Sequence, residues 1–105
     1  MNQITVSLHE VGSDSHIDIF FDVLPEEKLI TYMARTEDWI FFKKGKIITC
    51  AKKEDHRRIY LSYEGDISDN RGKLKVLWQG KYSNPSQSFK KIIKLKFENE
   101  TVLIL

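Results

Sequence analysis

Apolar and polar residues alternate along most of this 105-residue chain, and turn-forming residues interrupt the alternation every few positions. A period of two puts successive side chains on opposite faces of a strand, and no segment carries an apolar stripe of helical period and useful length. The chain therefore reads as all-β. The expected strands are "QITVSLH", "HIDIFFDV", "KLITYMA", "DWIFF", "KIITCA", "RRIYLSYE", "KLKVLWQG", "IIKLKFE" and "TVLIL". Between them stand "VGSDS", "LPEE", "KKGK", "GDISDNRG", "SNPSQS" and "NE", rich in the Gly, Pro, Asn, Asp and Ser that turns require. Many short strands in one small domain have to dispose of their edges, so the expected form is a small closed or nearly closed β-barrel of antiparallel strands spanning residues 1–105.

Length and charge narrow the function classes. One domain of this size closes a single core. The net charge of +2 is compatible with a polyanionic partner but falls well short of the dense positive stripe of an architectural DNA binder. The single cysteine, Cys50, has no internal disulfide partner, and its apolar surroundings in "KIITCA" suit a small core residue better than a nucleophile. The N-terminus carries no signal-like segment and no apolar run approaches the roughly 20 residues that cross a bilayer, so a cytoplasmic setting without a membrane role is expected.

Chemistry concentrates around the three histidines. In "HIDIFFDV" the period of two puts His16, Asp18, Phe20 and Asp22 on one face and Ile17, Ile19, Phe21 and Val23 on the other. Side chains two apart on a strand stand about 7 Å apart at their bases, close enough for an imidazole and a carboxylate to share one cation. His9, at the end of the preceding strand, joins them if the two strands pair. His9, His16 and Asp18 then make a candidate metal set with coordination positions left over for water or substrate. A solvated polar strand face is the competing reading of the same residues.

Downstream, a strand starting near His56 would place His56, Arg58, Tyr60, Ser62 and Glu64 on one face, with Arg57, Ile59, Leu61 and Tyr63 on the other. Imidazole, guanidinium and phenol in a row suit a phosphate: a bidentate fork, a proton donor and a further hydrogen bond. An exposed strand running into a turn explains the row equally simply. "DWIFFKKGK" sets Trp39, Phe41 and Phe42 beside Lys43, Lys44 and Lys46, either as a stacking platform with phosphate contacts or as a core strand followed by a basic turn. The lysines of "SFKKIIKLKF" alternate with apolar residues as the outer face of a half-buried strand, and "DISDN" reads as a turn rather than a calcium loop.

The order "HIDIFFDV", "LITYMA", "DHRRIYLSYEGDISDNRGKLKVLWQGKY" resembles the 3′-phosphoesterase domain of bacterial DNA ligase D and its small stand-alone relatives, over roughly residues 4 to 105. That resemblance implies a compact β-barrel with a bound divalent metal, usually manganese with zinc as the alternative. It also implies removal of a 3′-terminal ribonucleotide or 3′-phosphate from a DNA primer-template, leaving a 3′-hydroxyl for repair by a separate DNA ligase. By position, His16 and Asp18 match the metal-binding pair of the family's HxDxR motif, and His9 matches its first metal-binding histidine with a spacing one residue longer. His56 matches the histidine that meets the scissile phosphate, and Tyr60 the active-site tyrosine four positions on. Arg58 takes a phosphate-holding role in this scheme, with Arg57, Arg71, Lys43 and Lys44 as further phosphate or nucleic-acid contacts.

Two departures accompany the match. Phe20 stands where the family motif ends in arginine, and the chain starts almost at the first strand, without the extension that adds active-site residues in the ligase-linked enzymes. The expected function is a metal-dependent phosphoesterase acting on nucleic-acid 3′ ends. A barrel that binds the end without turnover is the alternative.

Overall fold

Val11 and Asp14 face each other across Gly12 and Ser13, and Gly12 adopts the positive φ of 60° that a two-residue hairpin turn demands of its first residue. This turn fixes the register of β1 (Gln3–Val11) against β2 (Asp14–Phe21), with His9 opposite His16 and Ser7 opposite Asp18. In the computed structural model, which describes residues 3–23, 27–83, 92–96 and 100–105, this hairpin is the centre of the sheet. There follow β3 (Ile30–Ala34), α1 (Asp38–Lys43), β4 (Ile47–Thr49), β5 (Ala51–Lys52), a 3-10 turn (Arg58–Leu61), β6 (Gly65–Asp66), β7 (Lys73–Ser83), β8 (Ile92–Lys96) and β9 (Glu100–Ile104).

The strands are ordered β4-β9-β8-β7-β1-β2-β3-β5, with β6 on β7, and every pairing is antiparallel except β4 with β9. The long β7 joins two regions: residues up to Lys81 pair with β1, while Tyr82 and Ser83 pair with β8. The described residues thus form a mostly antiparallel β structure with one short helix. Among the described residues the strand order keeps two ends, so hydrogen bonding does not close the sheet into the ring expected of a barrel. No helix among those residues is long and apolar enough to cross a membrane.

The two faces of the hairpin separate as alternation requires. Ile4 and Val6 of β1 and Ile17, Ile19 and Phe21 of β2 enter the main apolar cluster with Phe42, Ile48, Cys50, Tyr82 and Leu103. The other face carries Thr5, Ser7 and Asp18, all at most 1% exposed, beside a smaller cluster of Phe20, Leu29, Tyr60 and Leu74. This polar face is buried, not solvated as the simpler reading of "HIDIFFDV" would have it.

Three expected strands take other forms. "DWIFF" is the helix α1, because Trp39 and Phe42 stack at 5.1 Å with one helical turn between them, while Ile40 and Phe41 stay exposed. "RRIYLSYE" turns into the 3-10 segment, so the alternating faces expected from His56 to Glu64 do not exist. "KIITCA" is split at Cys50, whose N–H donates to Ile104 at 2.8 Å while Ala51 moves on to pair with Met33. The turn residues Leu24, Pro25 and Glu26, residues 84–90 of "SNPSQS" and its continuation, the "NE" turn, and the lysine face of "SFKKIIKLKF" lie outside the described residues or side chains.

Burial, reinforced by Asp38, pushes the Cys50 thiol up to about 12, and burial beside Asp22 does the same for the Tyr82 hydroxyl. Both groups hold their proton more tightly folded than unfolded. Their contribution to stability is complete below the unfolded thiol's ordinary value of about 8.5 and is lost as pH climbs toward 12. Cys50 should therefore resist a thiol reagent at pH 8 until denaturant is added, and the urea midpoint should fall between pH 8 and pH 10. A fast native reaction, or a midpoint that rises over that range, would contradict this burial.

Candidate metal centre

The hairpin register places Ser7, His9, His16 and Asp18 as a two-by-two block on one face. His9 Nδ1 lies 3.2 Å from His16 Nε2 and 3.2 Å from Asp18 Oδ2, and His16 Nε2 lies 3.0 Å from Asp18 Oδ1. Two ligands bound at about 2.1 Å around one tetrahedral cation are separated by roughly 3.3 Å, so these spacings have the size of a coordination polyhedron's edges. Each residue offers a ligand atom, and all of these atoms lie within 4.8 Å of one another.

Proton placement tests whether a cation fits. His9 Nε2 sits 2.7 Å from the Arg71 carbonyl oxygen, which only accepts, so Nε2 carries the hydrogen. His9 thereby turns its Nδ1 inward, toward His16 Nε2 and Asp18 Oδ2. Asp18 Oδ1, although near His16, is buried without an aligned hydrogen bond among the described residues. Among the described residues the ion pairs of Asp18 are with these two histidines, and the residue is 1% exposed. A buried carboxylate held between two imidazoles calls for a positive charge, supplied by a proton on a ring or by a metal ion. The donation from His9 to a main-chain carbonyl is also the arrangement that orients metal-bound histidines.

The Arg71 carbonyl is delivered by a tight turn between β6 and β7. Ile67 N–H donates to Gly72 at 2.7 Å, Asp69 and Asn70 have φ of 62° and 56°, and Gly72 has φ of 91°. A Cβ on Gly72 would come within 2.0 Å of the Glu10 carbonyl oxygen, so glycine alone allows the turn to lie against β1. The Arg71 guanidinium donates to both the carbonyl and the hydroxyl of Ser68.

Arg71 also lines a second feature, an open depression of about 440 Å³ shared with His56, Arg57, Tyr60, Ser68, Glu54 and Asp55. His56 is pinned by reciprocal backbone hydrogen bonds with Leu29 of 3.0 and 2.8 Å. Its Nδ1 donates to the Glu54 carbonyl at 2.7 Å, which leaves Nε2 as the nitrogen for acid–base work. Phe20, fully buried two residues after Asp18, stands 5.4 Å from the His56 ring and 6.3 Å from Tyr60. The depression therefore lies on the same side of β2 as the histidine–aspartate block, with Phe20 next along the strand.

The sequence-predicted residues divide accordingly. His9, His16 and Asp18 come together; His56, Tyr60, Arg57 and Arg71 gather beside the depression. The segment is a 3-10 turn, so the two arginines are not on opposite strand faces: Arg58 pairs at 2.6 Å with Asp22, which follows Asp18 and Phe20 just past the end of β2, while Arg57 lies 5.7 Å over the Tyr60 ring. Lys43 and Lys44 end α1, which is anchored by Phe42 in the cluster on the opposite face, so they do not join the histidines. No motif in the sequence singles out Ser7, although it stands at the strand period from His9. Among known proteins, no family model and no curated sequence matches the chain.

Replacing Gly72 by alanine should cost about 3 kcal/mol, from an alanine at positive φ combined with the clash on the Glu10 backbone. Urea denaturation would measure the loss; an unchanged midpoint would mean that the turn does not press on β1 as described.

Proposed function

We propose that this chain is a metal-dependent phosphoesterase-like domain that processes the 3′ ends of nucleic acid, as its resemblance to the ligase D phosphoesterase domain implies. One observation carries the reading: a donor set of His9, His16 and Asp18 that could hold a metal ion lies beside a depression rimmed by His56, Tyr60, Arg57 and Arg71. In the same reading the sheet is a nearly closed barrel, because both ends of the strand order belong to one segment, residues 47–52, interrupted at Cys50. The assigned substrate is a DNA primer-template ending in a 3′-phosphate or 3′-ribonucleotide. The setting is cytoplasmic, and a separate ligase uses the 3′-hydroxyl that results.

His9, His16 and Asp18 would hold the divalent ion, manganese before zinc, and such an ion would supply Lewis-acid polarisation and a water of lowered pKa. Arg57 and Arg71 grip the phosphate as guanidinium forks from two different loops. His56, with Nδ1 fixed on Glu54, presents Nε2 for proton transfer to the leaving oxygen, and the Tyr60 hydroxyl supplies another hydrogen bond.

A second reading, a module that binds the end without turnover, draws support from Phe20. An apolar ring occupies the position of the family's arginine, and the nearby Arg58 is engaged by Asp22. Manganese-loaded protein should be assayed on 3′-phosphate and 3′-ribonucleotide primers beside His16→Ala and His56→Ala. The enzyme reading expects His56→Ala to lower turnover by about 100-fold or more at unchanged metal content, and His16→Ala to lose the metal. Binding of metal and DNA with no turnover favours the module, and absence of both leaves a scaffold.

Acid protons compete with a metal for imidazole nitrogen, so manganese affinity should weaken steadily from pH 8 to pH 5 in equilibrium titrations. A flat profile would remove the histidines from the coordination shell.

A further inference from the structure

We propose that Ser7 is a fourth donor of the metal centre, its hydroxyl reaching the cation's coordination shell directly or through one bound water. The inference rests on the metal-centre reading above and adds a residue to it. Ser7 is 0% exposed, and among the described residues its Oγ has no hydrogen-bond partner. Its cross-strand neighbour is Asp18, whose Oδ1 is also buried without one, and His9 lies two residues further along the same face. Two orphaned oxygens on cross-strand partners, on the face that also carries His9 and His16, are groups that a cation would satisfy.

The remaining polar residues of this face make the orphan more pointed. Thr5 Oγ1 donates to the Leu61 carbonyl and His9 is bound to Arg71, so the hydroxyls and rings on either side of Ser7 are satisfied. The pairing of β1 with β7 also slips at this place: Val6 faces Trp78, whereas Ser7 faces Val76. A bulge of this kind re-aims the side chains beside it, and here it flanks the proposed ligand. A hydroxyl is a hard, neutral donor, and adding it to two imidazoles and a carboxylate moves preference toward manganese, away from softer zinc-selecting sets.

The test uses the full chain freed of metal, titrated with manganese and with zinc, together with thermal unfolding of the metal-free protein. Wild type should bind manganese; if it binds neither ion, the metal reading has failed and Ser7 falls with it. Ser7→Ala should weaken manganese binding by about tenfold or more while leaving the metal-free midpoint unchanged or higher, because an unsatisfied buried hydroxyl has been removed. Ser7→Cys, close in size, should raise the zinc-to-manganese affinity ratio by about tenfold or more, since a thiolate favours the softer ion. The assignment is overturned if Ser7→Ala binds manganese within about twofold of wild type, if its metal-free midpoint drops, or if Ser7→Cys leaves the ratio unchanged.

Discussion

The register of the β1–β2 hairpin is the constraint on which the rest of the molecule depends. With Gly12 and Ser13 as the turn, His9 meets His16, Ser7 meets Asp18, and the apolar members of both strands face away from them. A slip of one residue would exchange the faces of one strand, sending Asp18 toward Phe42 and Leu103 and bringing Ile17 and Ile19 to the histidine side. The penalty of putting a carboxylate among apolar side chains with no partner is several kcal/mol in order of magnitude. Burial of the main cluster therefore fixes the same register that assembles the polar block.

Closure of the polar face is unusual in its means. The apolar face is covered in the ordinary way, by α1 and by residues of β4, β7 and β9. The opposite face is covered by irregular chain: the 3-10 turn, whose Leu61 carbonyl is held by Thr5 and Gln79, and the β6–β7 turn, whose Arg71 carbonyl is held by His9. Polar side chains on the sheet thus satisfy main-chain groups that helices or strands would have paired among themselves. The histidine block and the covering loops stabilise each other, and loops are where side chains can be redirected without disturbing a ladder.

Alternation made most of the strands legible, along with the opposed faces of "HIDIFFDV" and the meeting of His9 with His16 once the turn is counted. It failed where a short apolar run fits two periods, as in "DWIFF", which the packing of Trp39 on Phe42 settles as helix. It failed again at Arg57 and Arg58. Assigning faces there presumes a strand, whereas the chain bends at Tyr60 so that its ring can pack with Phe20, and the bend lets Arg57 reach the Tyr60 ring while Arg58 stays with Asp22. The burial of Asp18 was not legible at all, since an alternating polar residue looks the same whether water or a distant loop covers it. Nor was the carbonyl of Arg71: a backbone atom has no signature in a sequence.

Phe20 gives these pieces a common logic under the proposed reading. An arginine at that position would have to be buried between His56 and Tyr60, a costly place for a charge without a partner. Phenylalanine instead completes the small cluster with Leu29 and Leu74, and the face keeps a cation at its edge, where Arg58 meets Asp22. The charge that would meet a phosphate is consequently carried by Arg57 and Arg71, and Arg71 has two duties: its side chain borders the depression while its carbonyl orients His9.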